Sequence, residues 1–154
     1  MITEAITNSQ RREVLRLFLA NFSNIDPNAV PMTEHDYLYA PIVAQYHDPD
    51  SGRLIAAALT CRAQVATMAI LAQQRGLPDG GYIPVLDKHS ELDLICVDPR
   101  FRGQGIGKRL IDYLEQRLRD RGVRVWFGNA TPDLDIVRLK RFYANCNFTL
   151  VPDG

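Results

Sequence analysis

The chain has 154 residues, of which 46% are apolar, so it suits a single domain spanning residues 1–154 with a sizeable core. Eighteen basic residues balance eighteen acidic ones, and this balance leaves no global electrostatic case for binding nucleic acid or an anionic membrane. Cys61, Cys96 and Cys146 are too few and too scattered for a disulfide framework or a metal site, and they suit reduced thiols in a cytoplasm.

Two helices are predicted near the N-terminus. Apolar residues recur at helical spacing over residues 14–22, and Asn8 or Ser9 can cap the start of this first helix. Residues 33–36 resemble an acidic capping box, because a threonine is followed three positions later by an aspartate. This pattern indicates a short second helix around Tyr37 to Tyr39, and the two helices would border a pocket.

An antiparallel strand pair follows the second helix. Ile42 to Tyr46 and Leu54 to Thr60 are strand-like runs. The sequence Asp-Pro-Asp-Ser-Gly at residues 48–52 lies between them and is typical of a hairpin turn. The sequence therefore predicts two strands joined by a tight connection.

The next segment is expected to be an insertion at about residues 61–90. Residues 63–75 are rich in good helix formers and end at Gly76, and residues 76–90 hold three glycines and two prolines. Two interpretations stay open. The insertion is either a surface excursion that packs on the sheet or on a partner subunit, or a lid over an acceptor site.

Residues 92–97 form an apolar strand with period-two alternation. The alternation predicts one face with Leu92, Leu94 and Cys96 and an opposite face with Glu91, Asp93, Ile95 and Val97. We therefore expect the two carboxylates to share a face.

This strand runs into a glycine-rich turn, Gly103-Gln104-Gly105-Ile106-Gly107, that opens a helix. Glycine allows backbone amides to close on phosphate oxygens. A helix N-terminus carries unpaired N–H groups and about half a positive charge, so Arg102, Lys108 and Arg109 at this position suggest a bound anion. The glycine spacing matches neither a Walker loop, which also needs Ser or Thr after the lysine, nor a dinucleotide fingerprint.

The helix that follows is predicted to pack on the sheet and to end at Gly122, a good residue for the position after a helix. Val123 to Phe127 then forms a strand parallel to residues 92–97, with a crevice beyond the carboxyl ends of the two strands. The apolar stripe of the helix comprises Ile106, Leu110, Tyr113, Leu114 and Leu118.

The C-terminal part is predicted as one more helix and a short strand. The helix starts at Asp133 or Asp135 and runs through Cys146, and the strand covers Phe148 to Val151.

Three features together resemble the GNAT (Gcn5-related N-acetyltransferase) superfamily. The pattern Arg102-x-x-Gly105-x-Gly107 after the strand looks like the loop with which this family binds the pyrophosphate of acyl-CoA. Residues 142–148, Phe-Tyr-Ala-Asn-Cys-Asn-Phe, are similar to the family's Phe-Tyr-x-x-x-Gly-Phe segment, with Asn147 in place of glycine. Asparagine tolerates the left-handed conformation that ends a helix. Glu91 stands where several family members have a catalytic glutamate.

The resemblance implies an α/β fold, the GNAT acyl-CoA N-acyltransferase fold. Its central sheet is mixed, mostly antiparallel and twisted, it is flanked by helices, and a parallel strand pair surrounds the CoA crevice. The insertion at about residues 61–90 would lie between the third and fourth strands, which the family usually joins tightly.

The resemblance also implies site residues. Tyr143 would protonate the departing thiolate, Glu91 is the first candidate for the base and Asp93 the second, and no metal is expected. Each has a plainer alternative, since Tyr143 fits a core position, both carboxylates fit a solvated strand and Asn129 fits a turn. The residues expected to contact acetyl-CoA are Ile95, Cys96, Val97, Arg102, Gly103, Gln104, Gly105, Ile106, Gly107, Lys108 and Asn129.

The function that the resemblance implies is an N-acetyltransferase that uses acetyl-CoA as cosubstrate. It would move the acetyl group directly to a primary amine of a small molecule or a peptide. The alternatives are a non-catalytic acyl-CoA-binding module and, more distantly, a nucleotide-binding switch, against which the missing Ser or Thr after Lys108 argues. The acceptor is open, its pocket is expected between residues 24–39 and the insertion, and the apolar insertion helix leaves a homodimer open.

Overall fold

The structure, a computed structural model, describes residues 1–76, 88–128 and 136–149. Among these residues five strands form one sheet in chain order, in which β1 to β4 are successively antiparallel and β5 is parallel to β4. The strands are β1 (Ile2–Glu4), β2 (Ile42–His47), β3 (Leu54–Arg62), β4 (His89–Val97) and β5 (Val125–Gly128). The sheet is mixed and mostly antiparallel with one parallel pair, as predicted.

Helices flank this sheet on both sides. They are α1 (Asn8–Asn21), α2 (Asp36–Tyr39), α3 (Gln64–Gln74), α4 (Ile106–Asp120) and α5 (Ile136–Asn145), with single 3-10 turns at Thr33–His35 and Pro99–Phe101. The predicted hairpin and the helix at residues 63–75 are confirmed. The proposed starts of the last helix, Asp133 and Asp135, lie outside the described residues.

Two short elements differ from the prediction. Strand β1 has only three residues, too few to show a period, and the sequence does not predict it. Phe148 and Thr149 are not in a strand, and the remainder of the predicted strand at residues 148–151 lies outside the described residues.

The cap of α1 is Thr7 rather than Asn8 or Ser9. The Thr7 hydroxyl accepts a hydrogen bond from the Gln10 amide, and the Gln10 side chain accepts one from the Thr7 amide, both at 3.2 Å. This reciprocal capping box outweighs the intrinsic preference of asparagine for the cap position. The Asn8 side chain instead accepts a hydrogen bond from the Thr33 amide at 2.8 Å and thereby ties α1 to the segment before α2.

Helix α2 occurs where predicted, but the acidic capping box is absent because Thr33 and Asp36 make other contacts. Thr33 begins a 3-10 turn that has no side-chain cap. The Asp36 carboxylate pairs with the buried guanidinium of Arg11 in α1, with 2.6 Å between Oδ1 and Nη1. The ion pair therefore fixes α2 to α1.

The sheet has one apolar cluster on each face. Helix α1 covers one cluster with Val14 and Phe18, both fully buried. Helix α4 covers the other with Leu110 and Leu114, as its predicted stripe requires, and ends before Gly122, whose φ is +78°. The half-buried side chains of Phe142, Tyr143 and Phe148 pack against the α4 cluster.

A β-bulge in β4 overturns the predicted alternation. Leu59 of β3 is paired with Leu94 and the next residue, Thr60, with Leu92, so Asp93 is an extra residue without a partner. The bulge reverses which residues share a face. Leu92 packs under α4 with Ile95 and Val97, whereas Leu94 and Cys96 pack under α1.

No helix in the described parts of the chain is long and apolar enough to cross a membrane. Within the same residues, no group of three or more His, Cys, Asp and Glu side chains is arranged to hold a metal ion.

Candidate active site

The crevice predicted between the parallel strands β4 and β5 would lie beyond their last described pair. Their described pairing runs from His89 and Val125 to Leu92 and Gly128. From Asp93 onward, the side of β4 that faces away from β3 has no strand partner among the described residues. This stretch of β4 leads through the 3-10 turn at Pro99–Phe101 into the glycine-rich turn.

The backbone of Ile95 and Val97 points into this crevice. The Asp98 amide donates to the Ile55 carbonyl at 2.8 Å, which marks a hydrogen-bonded pair between the two chain segments. Because hydrogen-bonded and non-bonded pairs alternate along an antiparallel ladder, the polar groups of Ile95 and Val97 face away from β3. The guanidinium of Arg102 lies on this side, where its Nε donates to the Val97 carbonyl at 3.4 Å.

Cys96 does not face the crevice, contrary to its expected role as a cofactor contact. The same alternation turns its backbone toward Ala57 of β3. Its thiol is buried in the cluster under α1, and this burial raises the pKa of the thiol to about 11. Cys96 is therefore a core residue.

The glycine-rich turn presents a row of backbone amides. Gly103 and Gly105 have φ angles of +82° and +78°, which side chains rarely tolerate, and Gly105 is the N-cap of α4 without a side-chain cap. The Arg109 amide is the first that bonds back into the helix, to the Gly105 carbonyl at 3.1 Å. The amides of residues 103–108 donate to no acceptor in the described parts of the chain. Amides of this kind at a helix N-terminus are donors suited to phosphate oxygens.

Gly107 has a packing role that the sequence did not indicate. A Cβ built at this position would lie 3.0 Å from the Phe142 ring of α5. Gly107 and Ile106 are both buried, so they could contact a ligand only through their backbone. The glycine lets α4 and α5 approach each other beside the turn.

The three cations predicted at the turn have different surroundings. Lys108 pairs with Asp112 one helical turn later at 2.9 Å, and this contact raises the pKa of the lysine. Arg109 stacks on Tyr46 with its guanidinium 5.3 Å from the ring centroid. Arg102 is the cation that the described residues place at the crevice.

Two carboxylates, those of Glu91 and Asp93, lie at the bulge of β4. Glu91 is half-buried and stands opposite Cys61 of β3, and Asp93, the extra residue of the bulge, is exposed. The pKa of Asp93 is raised to about 6, chiefly by desolvation by the surrounding chain atoms, while hydrogen bonding to the Cys61 thiol acts against the rise and the Glu91 charge contributes to it. Glu91, opposite Cys61, therefore lies on the face that α1 covers and not on the face of Ile95 and Val97 where it was predicted.

A buried hydrogen-bond network holds the bulge. Thr60 on β3 and Ser90 on β4 lie with hydroxyl oxygens 2.6 Å apart, and the Thr60 hydroxyl also donates to the Glu91 carbonyl at 2.8 Å. The indole Nε1 of Trp126 on β5 donates to the Thr60 hydroxyl at 3.1 Å. One threonine therefore connects three strands at the residue before the bulge, and the sequence predicted Trp126 only as a core residue.

Tyr143 lies near the end of α5 against two aromatic rings. The centroids of Phe142 and Phe148 are 5.3 and 5.9 Å from its ring. Burial raises the pKa of its phenol, and the neighbouring Cys146 raises it further. Asn147, with φ of +68°, ends this helix in the left-handed conformation that the sequence predicts. Asn129, the remaining expected cofactor contact, lies outside the described residues.

A cavity of about 390 Å³ lies at the end of β4 that is opposite to the glycine-rich turn. Arg62 on its wall donates to the carbonyls of Tyr37 and Leu38 at 3.0 and 2.9 Å, and Arg121 donates to that of Ala40 at 3.0 Å. These arginines stabilise carbonyl groups at the C-terminal end of α2.

Comparison with protein families gives one match over most of the chain. The model described as "Acetyltransferase (GNAT) family" matches residues 12–148. A search of curated proteins gives no match.

Several solved structures share the fold at low sequence identity. Glucosamine-6-phosphate N-acetyltransferase from Arabidopsis thaliana has a TM-score of 0.66 at 14% identity, with 100% of this chain and 94% of that chain covered. An aminoglycoside 6'-N-acetyltransferase from Acinetobacter haemolyticus has a TM-score of 0.65 at 16% identity, covering 100% and 94%. Ribosomal-protein-alanine N-acetyltransferase from Brucella melitensis biovar Abortus has a TM-score of 0.63 at 19% identity, covering 100% and 96%.

Proposed function

Because the chain belongs to the GNAT acetyltransferase family, we propose that it is an acetyl-CoA-dependent N-acetyltransferase that acetylates a primary amine of a small molecule or a peptide. One observation carries the proposal. The amides of residues 103–108, which have no acceptor among the described residues, follow the 3-10 turn after β4, and β4 itself carries two carboxylates. Strand β4 therefore connects backbone amides that could bind an anion with carboxylates that could accept a proton.

The turn and the strand edge fit the two ends of a CoA thioester. The free amides and the dipole of α4 favour the negative charge of a diphosphate. The outward backbone groups of Ile95 and Val97 offer donors and acceptors to an amide-containing arm laid along the strand. Arg102 adds a positive charge between these two regions. Acetyl-CoA, when bound there, supplies an activated acetyl thioester.

The two carboxylates provide a proton acceptor. An amine is mostly protonated at neutral pH and must lose a proton before its nitrogen can attack the thioester carbonyl. Asp93 has a pKa of about 6, close to the range in which a general base works best at neutral pH. We propose that Asp93, or Glu91 through a water molecule, accepts this proton. As the new C–N bond forms, the C–S bond breaks and the sulfur leaves as a thiolate.

Tyr143 is the proposed proton donor to that thiolate. A phenol with a pKa near 10 is a weaker acid than a thiol near 8.5, so the transfer is uphill by about 2 kcal/mol. Burial raises the pKa of Tyr143 and adds to this difference. The role therefore depends on hydrogen bonding to the sulfur as negative charge develops rather than on acidity.

Two measurements on the purified chain test the proposal. We expect isothermal titration to show CoA binding in the micromolar range or tighter. We also expect acetyl transfer in a mass-resolved screen over polyamines, aminoglycosides, amino acids and peptide N-termini. A folded chain that gives no heat with CoA contradicts the whole proposal. CoA binding without transfer to any amine favours a non-catalytic acyl-CoA-binding module.

The cellular setting is part of the same proposal. Cys61, Cys96 and Cys146 are free and buried thiols, which suits the reducing environment of a cytoplasm.

A further inference from the structure

One buried threonine is hydrogen-bonded to both strands that flank the predicted crevice. Thr60 of β3 is fully buried, and its hydroxyl lies 2.6 Å from the Ser90 hydroxyl and donates to the Glu91 carbonyl at 2.8 Å, both on β4. The indole N–H of Trp126 on β5 donates to the same hydroxyl at 3.1 Å. Ser90 and Trp126 are themselves partners in the β4–β5 ladder. The Thr60 side chain therefore adds contacts to strand pairs that the backbone already joins.

The Thr60 hydroxyl uses its full capacity for hydrogen bonds. A hydroxyl has one proton to donate and two lone pairs that accept. The Thr60 proton goes to the Glu91 carbonyl, and the two lone pairs face Trp126 and Ser90. The Ser90 hydroxyl also donates to the Cys61 carbonyl at 2.9 Å, so its single proton is shared between that oxygen and Thr60. A valine at position 60 would have nearly the same shape but could make none of these contacts.

The network lies directly before the bulge. The pairing of β3 with β4 shifts between Leu59 and Thr60, and a bulge disrupts the ladder locally. The bond from Thr60 to the Glu91 carbonyl therefore restrains backbone that the ladder holds less firmly. The last described pair of β4 and β5, Leu92 and Gly128, is two residues beyond Ser90 and Trp126. The network thus fixes β4 just before the stretch that is expected to border the crevice.

We propose that Thr60 is a positioning residue, whose hydroxyl holds the backbone of β4 at Glu91 and so sets where the carboxylates at the bulge lie relative to the thioester. The proposal rests on the proposed function, because it takes Glu91 or Asp93 as the base. Thr60 is 0% exposed, so it makes no contact with substrate. The amides of residues 103–108 follow the other end of β4 and take no part in the network. Loss of the hydroxyl should therefore affect acetyl transfer more than CoA binding.

Two substitutions separate the hydroxyl of Thr60 from its packing. Thr60→Val removes the hydroxyl and keeps the volume, whereas Thr60→Ser keeps the hydroxyl and removes a buried methyl group. In Thr60→Val we expect kcat to fall by about 10-fold, because a displaced base slows the transfer, while the CoA dissociation constant stays within about twofold. In Thr60→Ser, kcat should stay within about twofold of wild type although the melting temperature falls. Steady-state kinetics, isothermal titration and thermal melts measure these effects.

Thr67→Val is the matched control. Thr67 is also buried, but its hydroxyl has no hydrogen-bond partner among the described residues. The same substitution there should leave kcat unchanged. Wild-type kcat in folded Thr60→Val, or an equal loss of kcat in Thr60→Ser or in Thr67→Val, would overturn the proposal. If Thr60→Val does not fold, Thr60→Ala is compared with Thr60→Ser, since these two variants differ only in the hydroxyl, and equal kcat values would overturn the proposal.

A second readout separates this proposal from the proposed function. Trp126 is the single tryptophan of the chain, so its indole N–H gives one NMR signal. In Thr60→Val this proton loses its acceptor, so we expect its signal to move upfield and its exchange with solvent to become faster than in wild type and Thr60→Ser. A moved signal together with no acetyl transfer by the wild type supports the contact and contradicts the enzymatic role. Transfer with an unmoved signal contradicts the positioning role alone.

Discussion

The Asp93 carboxyl is held where its charged form is disfavoured, so its proposed role as the base is linked to the stability of the protein. Its pKa of about 6 lies above the value near 4 of an unfolded aspartate, so the folded state prefers the protonated form. The resulting cost to stability is absent below about pH 4, appears as the pH rises between these two values and is complete above about pH 6. Residues that proteins need for activity often lower stability in this way.

Asp93→Asn should therefore stabilise the protein and impair turnover. We expect a higher melting temperature than wild type at pH 7, with the advantage lost as the pH falls toward about 4, because asparagine is neutral throughout. Turnover should fall by about 100-fold or more if Asp93 is the base. Thermal melts from pH 4 to 8 and steady-state kinetics measure the two effects.

Glu91→Gln is the informative comparison for this prediction. Removing the Glu91 charge lowers the pKa of Asp93, because that charge raises it. The acid limb of the rate profile should then move to lower pH while turnover persists. Loss of turnover in Glu91→Gln with full activity in Asp93→Asn would assign the base to Glu91.

Tyr143→Phe removes one oxygen from an aromatic cluster and leaves its packing intact. We expect turnover to fall by about 10-fold to 100-fold while the CoA dissociation constant changes by less than about twofold, because in the proposed mechanism the hydroxyl acts on the leaving sulfur. Tyr113→Phe is the control, since Tyr113 is also half-buried against the α4 cluster but has no ring contact with Phe142 or Phe148 among the described residues. Equal loss of turnover and affinity in Tyr143→Phe would indicate a packing role.

Among the elements, sequence patterns predict the position of the glycine-rich turn correctly, but they do not predict which residues of β4 share a face. Glycine spacing and a left-handed Asn147 are local properties, and the structure has both turns where they are predicted. The bulge depends on how β4 pairs with a strand about 30 residues earlier, as in the contact between Thr60 and Ser90. A strictly alternating pattern cannot show one extra residue, so the sequence does not predict that Glu91 lies opposite Cys61 on the face of α1.

The glycine-rich turn allows a test in which strain and ligand binding are separated. Gly105 and Gly52 have φ angles of +78° and +72°, and an added Cβ would meet no atom within 4 Å at either position. Alanine at each should therefore cost a similar stability, about 1–2 kcal/mol. Gly105→Ala should also weaken CoA binding by about 10-fold, because the turn can no longer present its amides in the same arrangement.

Gly52→Ala supplies the baseline for this comparison, since Gly52 lies in the turn between β2 and β3. Its melting temperature should fall like that of Gly105→Ala, with an unchanged CoA dissociation constant from isothermal titration. Matched affinity losses in the two variants would mean that the turn at Gly105 does not hold the ligand.

At the scale of the molecule, the overall fold follows from the sequence because its signals are strong and local. The hairpin, the stripe of α4 and the parallel crossover each constrain neighbouring elements, and together they specify the mixed sheet. The side-chain contacts that join one helix to another, or that cap a helix, do not follow from local sequence patterns in the same way. The ion pair between Arg11 and Asp36 joins residues that are 25 positions apart in the sequence. At the start of α1, Thr7 is the cap residue although its neighbour Asn8 is equally suitable for that position.

Ligand binding should slow amide hydrogen exchange more at the glycine-rich turn and β4 than at β1 and β2. The amides of residues 103–108 have no acceptor among the described residues and should exchange rapidly with deuterium in the free protein. A bound diphosphate would accept from them, and the outward amides of Ile95 and Val97 would be covered too. The pairing of β1 with β2 lies at the far edge of the sheet. Hydrogen exchange with and without CoA should therefore slow most at the turn and along β4, and least at β1 and β2.

Thermal melts provide the matching global measurement. At a CoA concentration about 100 times the dissociation constant, binding to the folded state alone adds about 2.7 kcal/mol, which corresponds to a rise of roughly 5–10 °C for a chain of this size. Arg102→Gln should reduce the rise, because its guanidinium lies at the crevice, and Arg119→Gln should not, because Arg119 is exposed on α4 and paired with Glu115 at 2.8 Å. Exchange that slows equally over all five strands, with no preference for the turn, would place the ligand elsewhere.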